Sequence, residues 1–248
     1  ALSDCLCFGN PEKLHQMWEF VESVRGVADA CHAITLKDSP NDATPIIAGN
    51  VSFYNESKNG PIPPSPIVSC LGRFKDVNKA VPAHFQKTDS ILLMIGERKN
   101  ELGGSVYYSL YDELGANVPK PNLEEVKNQI FALTDCIDDE LILSCHDISD
   151  GGIASAIAEM AFGNSIGCNV KIDSDLSLDK ILFSETGGFL LVVAPDRVNA
   201  VTFVFSKYGV DVFQVGSTGG NSIQINGVVD LSVNEAKEAW TNGLREKL

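Results

Sequence analysis

Positive charge is what this sequence is short of. Against 33 Asp and Glu stand only 19 Lys and Arg, a formal charge of -14 over 248 residues. That balance disfavours a nucleic acid or an anionic membrane as partner, because both are held by clustered Lys and Arg. It leaves an anionic small molecule open, since backbone N–H groups, a helix N-terminus and Mg²⁺ bind phosphate without a basic surface. Long apolar runs are missing too. None approaches the roughly 20 residues of a membrane-spanning helix, and no secretory leader is visible, so the expectation is a soluble, cytoplasmic protein without a membrane partner. The cysteines lack metal-site spacing. Of seven, Cys5-Leu6-Cys7 is the one close pair, with no CxxC and no second pair. Cys31, Cys70 and Cys145 lie in apolar runs, as buried thiols of a reducing compartment do. The four histidines are scattered. Internal repeats and low-complexity tracts are absent, and the apolar content suffices for one large domain or two small ones.

What the chain does have is most concentrated in IIAGNVSFYNE, residues 46–56. Ile46 and Ile47 read as buried strand. Gly49 removes the side chain where another group must approach the backbone closely. Asn50 offers an amide oxygen suited to a hard cation, and Ser52 a hydroxyl. Strand alternation puts Asn50, Ser52 and Tyr54 on one face. Such a row suits a phosphate or metal–phosphate ligand, and it equally suits an exposed strand edge.

Asn10-Pro11 reads as the N-cap and first residue of a helix. Leu14, Met17, Trp18, Val21, Val24, Ala28 and Cys31 recur at helical spacing, which predicts the face that packs on a sheet. Residues 35–45 form a polar loop. Strands at 46–54 and 67–72 flank a turn at Lys58-Asn59-Gly60 and read as a hairpin or ribbon, and 75–88 reads as a linker. From Ser90 strands alternate with helices: strands at 91–95, 141–145, 168–172, 189–194 and 212–216, and helices at 123–133, 152–162, 178–182 and 197–208. A hairpin about Asn226-Gly227 follows, and Ser232-Val-Asn-Glu235 is a capping box. The predicted class is α+β, layered α/β, with domains at 1–80 and 81–248.

Two further segments carry polar groups beside glycine pairs. In His146-Asp-Ile-Ser-Asp-Gly-Gly152 a buried strand runs into a helix start. That is the design of an anion site at a helix N-terminus, and also of a plain capping turn. His146 fits a loop support better than a proton carrier. Phe183-Ser-Glu-Thr-Gly-Gly188 precedes another strand.

Four strings occur in one order: DCLCFGNPEKLHQMWEF (4–20), IIAGNVSFYNESKNGPIPPSPIV (46–68), HDISDGGIASAIAEMAFG (146–163) and LFSETGG (182–188). Together they resemble the second half of the synthetase subunit of phosphoribosylformylglycinamidine synthase. That family belongs to the superfamily of aminoimidazole ribonucleotide synthetase, selenophosphate synthetase and the hydrogenase-maturation dehydratase. The resemblance implies part of an N-terminal-type αβ domain, its first segment missing and its sheet paired with a partner half, followed by a C-terminal αβ domain. It implies an ATP-dependent C–N ligase of purine biosynthesis, acting within a glutamine amidotransfer complex. By resemblance Asp4 contacts ATP and the Gly49 backbone lies against the nucleotide. Asn50 ligates Mg²⁺, and the Ser52 hydroxyl holds formylglycinamide ribonucleotide. Cys7 departs from the family, which carries asparagine there, and Phe189 stands where many relatives carry arginine. The 35–45 loop is longer than the family's turn.

The family's catalytic groups lie in the first half, so no catalytic residue is assigned to this chain. Ala1 stands inside a motif, which leads us to expect a fragment of a longer protein, inactive alone. Its implied partners are the missing first half, a glutaminase subunit and a small accessory subunit. The competing expectations are a structural half-module that self-associates through an exposed sheet edge, or another ATP-dependent enzyme of the superfamily.

Overall fold

The computed structural model describes residues 1–243. The chain divides into two compact units, Ala1–Lys75 and a second one from Asp76 onward.

In the first unit β1 (Leu2–Cys7) leads to α1 (Leu14–Ala33) and β2 (Ile46–Ser52). A ribbon of β3 (Glu56–Ser57) and β4 (Gly60–Pro61) follows, then β5 (Ser65–Cys70). The sheet order is β2-β1-β5, with β1 parallel to β2 and antiparallel to β5. Parallel neighbours need a crossover, and α1 provides it. The hairpin expected between the strands near 46 and 67 is therefore not formed. Leu2–Cys7, not read as a strand from the sequence, is the strand inserted between them.

The helix begins at Leu14 after Lys13, not at Pro11; Asn10 Oδ1 instead accepts the Glu12 N–H at 2.8 Å in a preceding turn. Its packed face matches the expected one only toward its C-terminal end, at Ala28 and Cys31. Gln16 and Cys31 are buried, with Phe20, Ser23, Val27 and Ala30 half-buried between them at helical spacing. Phe20 meets Phe8 and Phe53 edge-on at centroid distances of 5.4 and 5.0 Å. The richer stripe is exposed, Leu14 at 91 % and Trp18 at 60 %, with Met17, Val21 and Val24. Ile46 and Ile47, expected to be buried, are exposed as well. β2 lies at the edge of its sheet, with β1 on one side only. Cys70 is likewise exposed rather than buried, near the end of β5.

The second unit contains β6 (Ile91–Ile95), α2 (Val106–Ser109), α3 (Leu123–Asp138), β7 (Ser144–Asp147), α4 (Gly152–Phe162), β8 (Cys168–Val170), α5 (Leu178–Phe183), β9 (Phe189–Val193), α6 (Val198–Ser206), β10 (Val212–Thr218), β11 (Ser222–Ile225), β12 (Val229–Ser232) and α7 (Val233–Asn242). Seven strands form one sheet, β12-β11-β8-β10-β6-β9-β7, antiparallel except for β11 beside β8.

Alternation splits the two central strands between two cores. Leu92, Met94, Leu190 and Val192 pack with Ile153, Ile157 and Met160 of α4. Leu93, Ile95, Leu191 and Val193 pack with Ala132 and Cys136 of α3 and Val201 and Phe205 of α6. Helices thus cover both faces, a layered α/β unit. The expected α4 face, Ile153, Ala156, Ile157, Met160 and Ala161, is wholly buried. Asn226 and Gly227 both take positive φ in the β11–β12 turn, and the Ser232–Glu235 capping box is formed in both directions. The segment expected as a linker contributes to the core: Phe85 is fully buried and its N–H bonds Met160 O at 2.8 Å.

Candidate functional site

In the first unit Asp4 and Gly49 are cross-strand partners in the β1–β2 register. A Cβ on Gly49 would come 2.4 Å from Asp4 Oδ1, so the carboxylate occupies the space a side chain there would fill. The close approach expected at Gly49 is real, and the approaching group is Asp4.

Cys5 pairs with Asn50 and Cys7 with Ser52 in the same register. Alternation puts this set on the face opposite to Asp4 and Gly49. The Asp4 side is the one α1 covers, because Leu6 and Phe8 follow Asp4 in phase and Phe8 meets Phe20. The four residues singled out by sequence therefore split into two pairs across one sheet. Asn50 is exposed on the edge strand. Ser52 is half-buried and its hydroxyl lies 3.1 Å from Asn55 Nδ2. Tyr54 does not continue the row, since the strand ends at Ser52 and Tyr54 has φ 60. Its hydroxyl turns to Glu12 Oε1, 3.4 Å away.

As a cation share Asn50 fits: an exposed amide oxygen can fill one Mg²⁺ position among phosphate oxygens and waters. Among the described residues no cluster of three or more His, Cys, Asp or Glu could hold a metal. This chain would thus contribute part of a coordination shell and not a complete one.

In the second unit three glycine-bearing segments converge. β7 runs through Asp147, two residues later than the pattern suggests, and His146 lies on it. The His146 ring bonds Asp147 O at 2.6 Å through Nδ1 and pairs with Glu159 Oε2 at 3.1 Å through Nε2, which is the loop-supporting role. One donor before α4 is met from within the chain: Glu185 Oε1 accepts the N–H of Gly151 at 2.9 Å, and it also accepts that of Val106, at the start of α2, at 2.8 Å. Gly152 has φ 68, and a Cβ there would meet Leu182 O at 2.6 Å, so the glycine pair serves close packing on the 182–183 backbone.

The third segment, Gly96–Ser105, was not singled out by sequence. Arg98 is 7 % exposed and donates to Gly187 O at 2.7 Å and Ser184 O at 3.3 Å, while its Nε has no partner. Burial pulls its guanidinium down to about 10, opposed by the charge of Glu101. Glu101 Oε2 accepts from Thr186 Oγ1 at 2.7 Å, whose oxygen is 2.8 Å from Ser184 Oγ. The available signal was Gly103-Gly104 and a lone arginine directly after a buried strand. Phe183 stacks on Tyr107 at 4.5 Å, and Phe189 packs against the α3–α6 core.

Beside this network a cleft of about 550 Å³ is lined by Gly96, Lys99, Asn122, Glu125, Gln129 and Asp211 among others. A smaller one of about 220 Å³ shares its Gly96–Gln129 wall and reaches Lys120, Glu185 and Thr186. Neither is lined by His146 or by residues 147–152.

Residues 87–225 match the family model described as AIR synthase related protein, C-terminal domain. The whole chain is 40% identical to phosphoribosylformylglycinamidine synthase subunit PurL of Methanothrix thermoacetophila, and it spans 33% of that protein's length. Among solved structures it is similar to Thermotoga maritima PurL complexed with FGAR, with a TM-score of 0.69 at 15% identity over 95% of this chain and 39% of that one. It is also similar to the same protein complexed with ATP, with a TM-score of 0.67 at 15% identity over 95% of this chain and 37% of that one. These structural likenesses concern the fold.

Proposed function

The chain belongs to the AIR synthase related proteins through the C-terminal domain of residues 87–225, and from this we propose that it is one third of a phosphoribosylformylglycinamidine synthase synthetase subunit. The observation that carries the reading is 40% identity across the entire chain, both units included. The activity follows from the same relatives: an ATP-dependent C–N ligase of purine biosynthesis. It converts formylglycinamide ribonucleotide to the amidine with ammonia from a glutaminase partner, in the cytoplasm.

In this reading ATP phosphorylates the substrate amide oxygen, and ammonia displaces phosphate. Mg²⁺, when bound, neutralises phosphate charge. This chain's residues position rather than react. Asn50 supplies one oxygen to the cation and Ser52 a hydroxyl to the substrate, both from the face of β1 and β2 that α1 leaves open. Asp4 and the Gly49 backbone meet the nucleotide from the other side of the edge strand. Such contacts accelerate by orientation and electrostatics and need no covalent nucleophile. The site is completed by the rest of the subunit, so the chain alone does not turn over.

The test is reconstitution. The chain is mixed with the remaining two thirds of the Methanothrix thermoacetophila subunit, Mg-ATP, substrate and ammonium, and ADP release is followed. Release that needs all components, and falls at least about tenfold with Asn50→Ala, supports the reading. Release by the partner piece alone at the full rate sinks it.

A second reading rests on the exposed apolar stripe of α1 and on Ile46, Ile47 and Ile67 of the sheet. A surface of that kind marks an interaction site, and the second reading fills it with another copy of the chain. A dimer that persists when the complementary piece is added would favour it.

A further inference from the structure

Cys5 and Cys7 lie two residues apart on β1, on the face that carries Asn50 and Ser52, and both are partly exposed. Their sulfurs are 3.6 Å apart. Two thiolates that bind one tetrahedral Zn²⁺ sit about 2.3 Å from the metal. At the observed separation those bonds would enclose about 103° at the metal, close to the tetrahedral angle. The strand has thus set two soft donors at chelating distance without any rearrangement.

We propose that Cys5 and Cys7 form a two-thiolate binding site for a thiophilic divalent cation of the zinc and cadmium class. Each thiol gives its proton to solvent as its sulfur binds. Water fills the other two positions, since among the described residues no third His, Cys, Asp or Glu joins the pair. The hydrogen bond to Cys7 raises the Cys5 thiol above its ordinary value, with smaller contributions from partial burial and from the charges of Cys7 and Asp4.

A disulfide is the competing fate of two close cysteines. Residues i and i+2 of an extended strand are separated by roughly 6.6 Å between Cα atoms, at the far end of the usual disulfide range of about 4.4–6.8 Å. A cation spanning the sulfurs asks for no such contraction. The pair also bears on the proposed active face, because Cys7 is the cross-strand neighbour of Ser52 and Cys5 that of Asn50. An ion seated there occupies the ground next to both. That consequence rests on the functional reading above; the binding site itself does not.

The test titrates the reduced full chain with Cd²⁺ and follows thiolate-to-cadmium charge-transfer absorption. One equivalent saturates the signal, and Zn²⁺ displaces it. Alkylation followed by peptide mass mapping of the wild-type chain shows Cys5 and Cys7 protected together by Cd²⁺ while Cys70 still reacts. Cys7→Asn, the residue the resembled family carries, weakens binding by more than about 100-fold, beyond the 10–100-fold typical of losing an outer-shell partner. Cys70→Ser, an exposed thiol on the opposite face, leaves it unchanged. Unchanged affinity in Cys7→Asn, a loss in Cys70→Ser, or no joint protection of Cys5 and Cys7 would overturn the proposal. Because protection is read on the wild type, misfolding of a variant cannot mask the result. Loss of ligase turnover in Cys7→Asn without loss of Cd²⁺ binding would count against this site and not against the function.

Discussion

The Asp4 carboxylate sits over the Cα of Gly49, with Oδ1 2.4 Å from where a Cβ would be. The glycine on β2 is thus explained within the unit by a cross-strand aspartate. Gly49→Ala should cost up to about 1 kcal/mol through this overlap, because the Asp4 carboxylate can swing aside at the expense of its rotamer. Asp4→Ala in the same chain should recover most of that loss, because the offending atom is gone. Urea unfolding of the two single variants and the double variant gives the coupling directly. Additive losses would mean that Gly49 answers to something other than Asp4.

Arg98 is expected to act as a fork that fixes the 184–187 loop. Arg98→Met removes donors to Gly187 O and Ser184 O and should cost about 2–3 kcal/mol, as hydrogen bonds from charged groups do. Arg98→Lys should not restore it, since an ammonium lacks the planar fork that reaches both carbonyls. Thermal or urea unfolding of the two variants checks this.

Glu185 joins two turns through one oxygen, so its loss should loosen both. In Glu185→Ala, amide hydrogen exchange at Gly151 and Val106 should accelerate while β6 and β9 stay protected. Glu185→Gln keeps an acceptor oxygen and should show the smaller effect.

Burial at 2 % exposure pushes the Cys168 thiol from 9.0 to about 12, against a weaker opposing hydrogen bond from the Gln224 backbone. The folded value is raised, so below about pH 9 both states hold the proton and this group adds no pH dependence. Between pH 9 and 12 the unfolded chain loses a proton that the folded chain keeps, and stability falls as pH rises. At pH 10.5 the fall is at most about 2 kcal/mol. Urea unfolding at pH 8 and 10.5 measures it, and Cys168→Ala should lose less over that interval than the parent chain.

How much could be read in the sequence differed between the units for a physical reason. In the second unit a buried strand such as Ile91–Ile95 and a one-faced helix such as α4 each have a single consistent pattern, so element and packing were both legible. Boundaries drifted where polar residues continue a strand, as at His146-Asp147 in β7. In the first unit α1 carries apolar residues on two faces. Periodicity selects the richer stripe of Leu14, Trp18 and Val21. The sheet instead takes the face of Phe20, because Phe8 and Phe53 are there to receive it. β1, a short strand of mixed polarity, went unrecognised until its partners were in place, and with it the pairing of Asp4 with Gly49. The Gly96–Ser105 network was hidden because Arg98 and Glu101 acquire their partners from residues more than 80 positions away.

The account's central claim is a nucleotide site that this chain shares with the rest of its subunit. Calorimetric titration with Mg-ATP, of the chain alone and of the chain with the complementary piece, tests it most directly. The account predicts binding in the mixture that exceeds that of either piece and is weakened by Asn50→Ala. No binding in the mixture, with both pieces folded and associated, would contradict it, as would binding in the mixture that Asn50→Ala leaves untouched.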